Sequence, residues 1–499
     1  MSRSLAAAFA ERAAAQPSAP ALIWDGHAVS YAELHAMACR ARDRVEAAAP
    51  RADRPVGLRV RKSPETVALV LGCLMAGRGF LLPSHELPEL PLKELYGQAG
   101  CVVVLGLADD PLVDVVVDVG PGPQAAVGAP ETRPPAEVAE DATGFMLTTS
   151  GSTGLPKIVP ISSGALTRFT AWAADAFGIA RGTVVLNYAP LNFDLCLLDV
   201  WTTLAYGGTV VLVDPDRGAS AQYLHGLVTE HRVTFVQGVP LLFQLLARAA
   251  ADSGPLTTPE HLVFAGESMP AKILADLPEV FPSARWYNNY GCTETNNSFL
   301  HEVDLGRPVT APLPIGRPLP GVRWLLVGED GRALTGRGQG ELLVSTPFQT
   351  AGYVNVPGGE KFGPHPDGEP GVVYYRSGDV AVRHEDGSLS VLGRTDFMVK
   401  VRGTQVSTQH VESILLEHPA VVEAAVVALP DPEAGHRLHA RMRLTAPGAA
   451  GVLALRQYCA ERAVRAAVPS VFETVSEPLP RTSTGKVDRN RIKADLLAR

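Results

Sequence analysis

Thr183–Val213 reads TVVLNYAPLNFDLCLLDVWTTLAYGGTVVLV. Its two ends, Thr183–Tyr188 and Thr209–Val213, are short, apolar and β-branched, which is the composition of buried strands. Between them Leu197–Leu204 has the length and character of a helix that stops at the Gly207–Gly208 turn. The alternation then repeats downstream. Ser220–His231 is helix-like, Val233–Val236 strand-like, Pro240–Ala250 helix-like with proline at its first position, and His261–Phe264 strand-like again. Repeated βα units of this size indicate an α/β fold, a mostly parallel sheet with helices on both faces.

The whole chain sets bounds on this reading. It has 499 residues, room for about three units at roughly 150 residues per domain. With 46% hydrophobic and 19% charged residues it has the apolar material for large packed cores, and disorder is excluded. A net charge of −8 gives no global attraction to nucleic acid or anionic membrane, and no basic run supplies a local one. Cys39, Cys73, Cys101, Cys196, Cys292 and Cys459 are scattered without a C-x-x-C pair. That pattern fits neither a zinc site nor a disulfide framework and suits a reducing compartment. Val67–Ala76 is the richest apolar stretch and soon meets Arg78, so it reads as a core helix and not as a membrane span. The N-terminal MSRSLAAAFAERAAAQ reads as an amphipathic helix and not as a signal peptide. A cytoplasmic protein is expected.

Pro and Gly crowd Gly120–Pro135 and Pro357–Gly371, which read as surface loops. The texture changes again at Arg394–Asp396, where hairpin-like GSLSVLGRTD gives way to polar VKVRGTQVSTQH and a compact βα-type tail. A domain boundary there divides the chain into residues 1–395 and 396–499. No internal repeat is visible.

Thr148–Lys157 reads TTSGSTGLPK directly after apolar Gly144–Leu147. Small hydroxyl residues and glycines leave backbone N–H groups free to approach oxyanions, and Lys157 adds a positive charge. Ser/Thr/Gly clusters are also ordinary surface turns. The spacing is not that of a Walker A loop, so the chemistry of a P-loop NTPase is excluded.

Four further motifs follow in order: NNYGCTET at Asn288–Thr295, YRSGDV at Tyr375–Val380, GRTDFMVKVRG at Gly393–Gly403, and TGKVDR at Thr484–Arg489. With TTSGSTGLPK before them, and weaker SYAEL at Ser30–Leu34 and LMAGRGFLLP at Leu74–Pro83, the set resembles the core motifs of the adenylate-forming superfamily. Its members include nonribosomal peptide synthetase adenylation domains, acyl-CoA synthetases and luciferases. The resemblance spans nearly the whole chain. It implies a large N-terminal domain of βα-layered sheets and a small, mobile C-terminal α+β domain hinged at Asp396.

Site residues come with the resemblance. The loop residues Thr149, Ser150, Gly151, Ser152, Thr153, Gly154 and Lys157 would cradle ATP phosphates. Gly266 and Glu267, in AGES, would border the adenine with Asn288 and Asn289, while Tyr290 would stack on it. Thr293 would contact the α-phosphate. Glu294, a hard oxygen ligand on its own chemistry, would hold Mg²⁺. Asp379, an acceptor-only carboxylate, suits two ribose hydroxyls, and Arg394 matches the ribose-contacting arginine. A lysine near a C-terminus is ordinarily a solvated surface charge, but Lys486 occupies the position of the catalytic lysine. There a fixed ammonium stabilises in-line attack of a carboxylate on the α-phosphate.

The acid is indicated by NFDL at Asn192–Leu195. A buried carboxylate needs a cationic partner, and a substrate ammonium supplies one. In amino-acid-activating members of the resembled superfamily an FD pair at this place supplies that carboxylate, so the resemblance makes Asp194, with Phe193 before it, point to an amino acid, although aspartate there is also a good helix N-cap. Matching positions place Leu195, Leu198, Gln237, Val263, Ala265, Asn289, Asn297 and Ser298 around the side chain. An amide-rich wall of Gln237, Asn289, Asn297 and Ser298 favours a small or polar one. The segment GELLVSTPFQTAGY lacks the arginine usual there, TQVSTQHVE retains only Glu412 of the usual pattern, and Cys292 replaces a common proline as a spacer thiol.

Together these features lead to an expected stand-alone enzyme that uses ATP and Mg²⁺ to adenylate an amino acid, then loads it on the phosphopantetheine thiol of a separate carrier protein. Two other readings stay open: an acid:CoA ligase for a non-amino acid, and an inactive nucleotide-binding module.

Overall fold

The computed structural model describes residues 3–51, 53–120, 133–149, 156–309, 311–356, 361–401, 404–431, 435–482 and 486–498, apart from the side chains of Asp396, Met398, Lys400 and Gln405. The expected alternation is present, with element ends shifted by one to three residues. Strands Thr209–Leu212, Val184–Asn187, Phe235–Gly238, His261–Ala265 and Arg285–Cys292 lie side by side in that order and run parallel. Asn296–Glu302 and then Arg317–Pro318 extend one side antiparallel; on the other Pro20–Trp24 pairs parallel with Thr209–Leu212 and is followed at the edge by antiparallel His27–Ser30. Helices Ala221–Glu230, Pro240–Ser253 and Ala271–Val280 link the strands.

Strand residues alternate between two cores, as a period of two requires. Val236, Leu262, Phe264 and Trp286 face Leu224, Leu242, Phe243 and Leu277. Phe235, Val263 and Tyr287 face the opposite way, into a core with Trp201, Phe169 and Phe145. Burying each such side chain contributes about 1.5–3 kcal/mol. The second core extends to another sheet, in which Val104–Gly106, Val56–Arg59, Phe80–Leu81 and Thr143–Thr149 are parallel and Lys157–Ser162 is antiparallel. The helix expected around Val67–Ala76 spans Pro64–Met75 and is buried almost throughout. It is started by Ser63, whose hydroxyl accepts from Thr66 N at 3.2 Å, and by Pro64 in the first turn.

The helix after Asp194 departs from the simple expectation. Leu197–Thr202 is a π-helical turn that passes into α-helix at Thr203–Tyr206 and ends at Gly207. Thr202 and Thr203 donate their hydroxyls to the carbonyls of Leu197 (2.8 Å) and Leu198 (3.3 Å). Such π turns widen a helix locally and recur at functional sites.

An antiparallel sheet follows, built on Arg323–Val327, Gly338–Ser345, Tyr374–Arg383 and Leu389–Arg394. The small C-terminal domain has Val421–Asp431 and Gly435–Leu444 antiparallel, with Val471–Val475 parallel to the latter. Helices Thr408–Glu417 and Val452–Ala460 share its core, among Val411, Leu415, Val426, Met442, Leu455 and Phe472. Among the described residues no helix is long and apolar enough to cross a membrane. Residues 121–132 and 357–360, inside the two expected loops, lie outside the described residues.

Candidate active site

Several of the residues singled out from the sequence lie at or near the carboxyl ends of the parallel strands, where open α/β sheets bind ligands. Register fixes their depth. Gln237 pairs with Val263, Val263 with Tyr287, and Ala265 with Asn289. Gln237, Val263, Ala265 and Asn289 therefore share one sheet face, and Leu195 and Leu198 belong to the core on that side. Asn288 points to the other face and donates its amide to Pro314 O at 2.8 Å. Gly291 follows a bulge where a Cβ would lie 2.1 Å from the carbonyl oxygen of Asn296, so only glycine fits at that point of NNYGCTET.

Lys486 stands over this cleft. Its ammonium is 5.6 Å from the centre of the Phe193 ring. Gly266, in the left-handed region at φ +82°, leaves room for it: a Cβ there would sit 3.5 Å from Lys486 Cε. Burial pushes the carboxyl of Asp194 upward, a hydrogen bond with Thr293 and the charge of Lys486 draw it down, and Glu294 raises it again. Glu267 is also raised by burial, with Lys486, Arg489 and Arg481 opposing. Lys486 thus acts on both Asp194 and Glu267, while Thr293 and Glu294 act on Asp194.

A second wall comes from the antiparallel sheet. Asp379 and Arg394 are direct register partners on adjacent strands, and Arg394 Nη1 donates to Asp379 Oδ1 at 3.2 Å. Tyr290 donates its hydroxyl to the other oxygen of Asp379. Burial and the charge of Asp379 both push the Tyr290 phenol well up, so it stays a donor. Its ring meets Phe299 edge-on at 6.0 Å. Asp396, the expected hinge, lies in the short turn Thr395–Phe397; its side chain is outside the described residues.

At the phosphate end Glu294 is buried, and Tyr353 donates its hydroxyl to Glu294 Oε1 at 2.7 Å. Lys157 places its ammonium 4.8 Å from the centre of the Tyr353 ring. Tyr375 lies against the Tyr353 hydroxyl at 3.4 Å. Thr149 ends its strand with Oγ1 enclosed and without a hydrogen-bond partner among the described residues. Ser150, Gly151, Ser152, Thr153 and Gly154 lie outside the described residues. Cys292 contacts Thr295 Oγ1 at 3.2 Å, and burial holds its thiol protonated, in keeping with a spacer.

The amide-rich wall needs revision. Gln237 donates its amide to Asp199 Oδ1 at 2.7 Å and to Leu195 O at 3.0 Å. Ser298 lies against Thr295 Oγ1 at 3.3 Å. Both expected wall groups thus have protein partners. Asn289 and Asn297 stay buried at the site. Asp199 belongs to a network the sequence reading missed. Asn187 donates to its other oxygen at 3.4 Å, and Lys62 binds the carbonyls of Asn187 (3.1 Å) and Tyr188 (3.2 Å). Its only signal was an acidic residue inside an apolar helical stretch.

The loop carrying Lys486 is braced within the small domain. Thr482 N donates to Lys486 O at 2.7 Å, and Asp488 N to Pro480 O at 2.8 Å. Arg489 grips buried Glu412 with two nitrogens, at 2.8 and 2.6 Å, a bidentate fork with directional strength. Glu412 Oε1 also accepts from Val426 N at 2.8 Å.

Comparison with known proteins agrees with this layout. Residues 9–354 match the family described as AMP-binding enzyme, and residues 410–486 its C-terminal domain. The chain is 32% identical over 449 residues to an L-proline–[L-prolyl-carrier protein] ligase of Pseudomonas fluorescens, covering 86% of each chain. It is 27% identical to a D-alanine–D-alanyl carrier protein ligase of Bacillus licheniformis, covering 96% of this chain and 97% of that one. It superimposes on o-succinylbenzoate CoA synthetase from Bacillus subtilis, solved with its acyl-adenylate intermediate, with a TM-score of 0.82 and 25% identity over 98% of both. With Lys486, Asp194, Glu294 and Asp379 gathered around one cleft at the strand ends, the chain belongs to the AMP-binding, adenylate-forming enzymes.

Proposed function

We propose that this enzyme activates an amino acid with ATP and loads it on the phosphopantetheine thiol of a carrier protein. The observation that carries the reading is the half-buried carboxylate of Asp194, which feels the charge of Lys486, whose ammonium lies 5.6 Å from the ring of the neighbouring Phe193. An ammonium-bearing substrate neutralises Asp194 at one end and offers its own carboxylate to the lysine at the other. Asp379 with Arg394 binds the ribose, Tyr290 lies along the adenine, and Thr149, Lys157 and Thr293 bind the phosphates.

The substrate carboxylate oxygen attacks the α-phosphorus of ATP. A new P–O bond forms, the bond to the β-phosphate oxygen breaks, and pyrophosphate leaves. Lys486 holds both reactants in line and offsets the charge gathering between them. No base is needed, because the nucleophile is already an anion. Glu294 fits magnesium: Tyr353 takes one carboxylate oxygen, the other is left for a cation, and the remaining ligands of such an ion are phosphates and water. Bound there, magnesium supplies charge neutralisation on the departing pyrophosphate.

For the second half-reaction the small domain, beginning at Asp396, turns about that residue and withdraws Lys486. A cavity of about 230 Å³, lined among others by Lys62, His85, Pro190, Phe193, Leu195 and Val239, adjoins the site. We assign it to the arriving thiol arm, whose sulfur gives up its proton to solvent and attacks the acyl carbon, so that a C–S bond forms, the acyl bond to the phosphate oxygen breaks and AMP leaves. The free cysteines suit the reducing cytoplasm.

ATP–pyrophosphate exchange with free amino acids beside fatty and aryl acids tests the reading, followed by carrier loading. Exchange with one or a few amino acids is expected. Exchange confined to acids without an amine, or acyl transfer to coenzyme A in place of a carrier, would replace it with an acid:CoA ligase.

A further inference from the structure

We infer that Asn355 is a positioning residue for the phosphates that leave as pyrophosphate, and that it acts through Lys157, whose backbone it clamps on both sides. The inference rests on the phosphate-binding role proposed above for Lys157.

Lys157–Ser162 is the outermost strand of its sheet, and Lys157, its first residue, pairs with Thr149 across the phosphate loop. An edge strand leaves backbone N–H and C=O groups without a ladder partner. Here the segment after Tyr353 takes them. Asn355 Oδ1 accepts from Ile158 N at 2.8 Å, and Val354 N donates to Ile158 O at 3.0 Å. The Asn355 amide nitrogen donates to Pro156 O at 3.0 Å and to Gln98 Oε1 at 2.9 Å, on the helix Glu89–Gln98. One side chain thus holds the residue before Lys157 and the residue after it.

The lysine between them extends over the ring of Tyr353, two residues before Asn355, and the Tyr353 hydroxyl reaches Glu294. The far end of the same segment is fastened to the motif that carries Glu294. Thr350 N donates to Glu294 O at 2.9 Å, and Thr346 Oγ1 to Thr295 O at 2.6 Å. Residues 346–355 therefore splint Lys157 to Glu294, the two groups that face the departing pyrophosphate on the function proposed above. The chemistry of the clamp calls for an amide, which carries an acceptor and two donors on one short planar group. Aspartate has the same shape but no donor, and it would set an anion against two acceptors, Pro156 O and Gln98 Oε1.

The test is pyrophosphate exchange by the full-length enzyme carrying Asn355→Ala, Lys157→Met or both. Asn355→Ala is expected to raise the KM for ATP and for pyrophosphate about threefold to tenfold, within the net weight of one neutral hydrogen bond, and to leave the KM for the acid unchanged. The double variant is expected to match Lys157→Met alone, because a residue that acts through Lys157 then has nothing left to act on. Thiol transfer from supplied aminoacyl-adenylate, which carries neither of the phosphates concerned, is expected to keep its wild-type rate. Losses that multiply in the double variant would overturn the inference, and so would an equal loss in thiol transfer. Asn355→Asp is expected to raise the KM for ATP further than Asn355→Ala, and a wild-type value would overturn the inference as well; this variant, alone and with Lys157→Met, carries the test if the alanine variant fails to fold. Wild-type enzyme that exchanges with no acid would overturn the adenylation proposed above. Calorimetric ATP affinities of the same proteins would then decide the inference by the same comparison of single and double variants.

Discussion

The hydroxyl of Tyr353 reaches Glu294 Oε1 at 2.7 Å, across 59 residues of sequence, with the Lys157 ammonium lying over the same ring. The phenol takes one carboxylate oxygen and fixes the direction of the other. Tyr353→Phe is expected to raise the magnesium concentration needed for half-maximal exchange by about tenfold or more, the weight of one hydrogen bond to a charged group. Magnesium titrations of both proteins decide it; identical curves would separate Tyr353 from the metal.

Lys486→Ala is expected to lower adenylate formation by at least about a hundredfold, since it removes the positive charge facing the transferring phosphate. Thiol transfer from supplied aminoacyl-adenylate should be largely spared. Single-turnover measurements of the two half-reactions test this, and equal losses in both would contradict a lysine that withdraws between them.

Asp194 must be ionised to hold an ammonium, and burial displaces its carboxyl above the ordinary range. The acid limb of kcat/KM for the amino acid, which reports the free enzyme, is therefore expected at higher pH than for an exposed aspartate. Asp194→Asn should remove that limb and cost about a hundredfold or more in exchange. ATP binding, followed by calorimetry, should change little.

Asp199 makes stability depend on pH in the opposite sense to a surface carboxylate. Burial lifts it from 3.8 to about 8, so between those values the folded chain holds a proton that the unfolded chain has released. Its contribution is full at low pH and is lost as pH rises towards about 8. Lys62, lowered by burial to about 8, adds stability as pH rises further, because the unfolded chain then binds the extra proton. Cys196, raised by burial and by Asp199, stays a thiol across this window. Wild-type protein should melt lower at pH 8 than at pH 5, and Asp199→Asn should flatten that slope. Melting curves across the range check the sign.

Much of this arrangement was legible before any coordinates. Parallel strands were readable because both faces of the sheet are buried, which makes Val184–Asn187 and Thr209–Leu212 apolar but for one polar residue each. The end of the strand Phe235–Gly238 was harder to see, because Gln237 and Gly238 are polar or bare while the sheet still includes them. The motifs marked the cleft because their chemistry needs fixed local spacings. Partner choice was not legible. Nothing in the neighbourhood of Gln237 says that its amide will meet Asp199, 38 residues away, in place of a ligand. The same holds for Tyr353 and Glu294, which only the packing of three sheets brings together. The π turn after Asp194 was also invisible, since it is held by Thr202 and Thr203 hydroxyls in a sequence that suits an ordinary helix.

The grip of Arg489 on Glu412 has a consequence for how such an enzyme changes over generations. Both residues, and the paired strand ends beside them, lie in the same small domain as Lys486. The stance of the lysine is set by its own neighbours and owes little to whichever acid is chosen beneath it. On the function proposed above, the positions assigned to the amino acid, Leu198 among them, lie in the large domain and can change without touching the contacts that brace the lysine. A change of diet would then leave the footing of the lysine as it was.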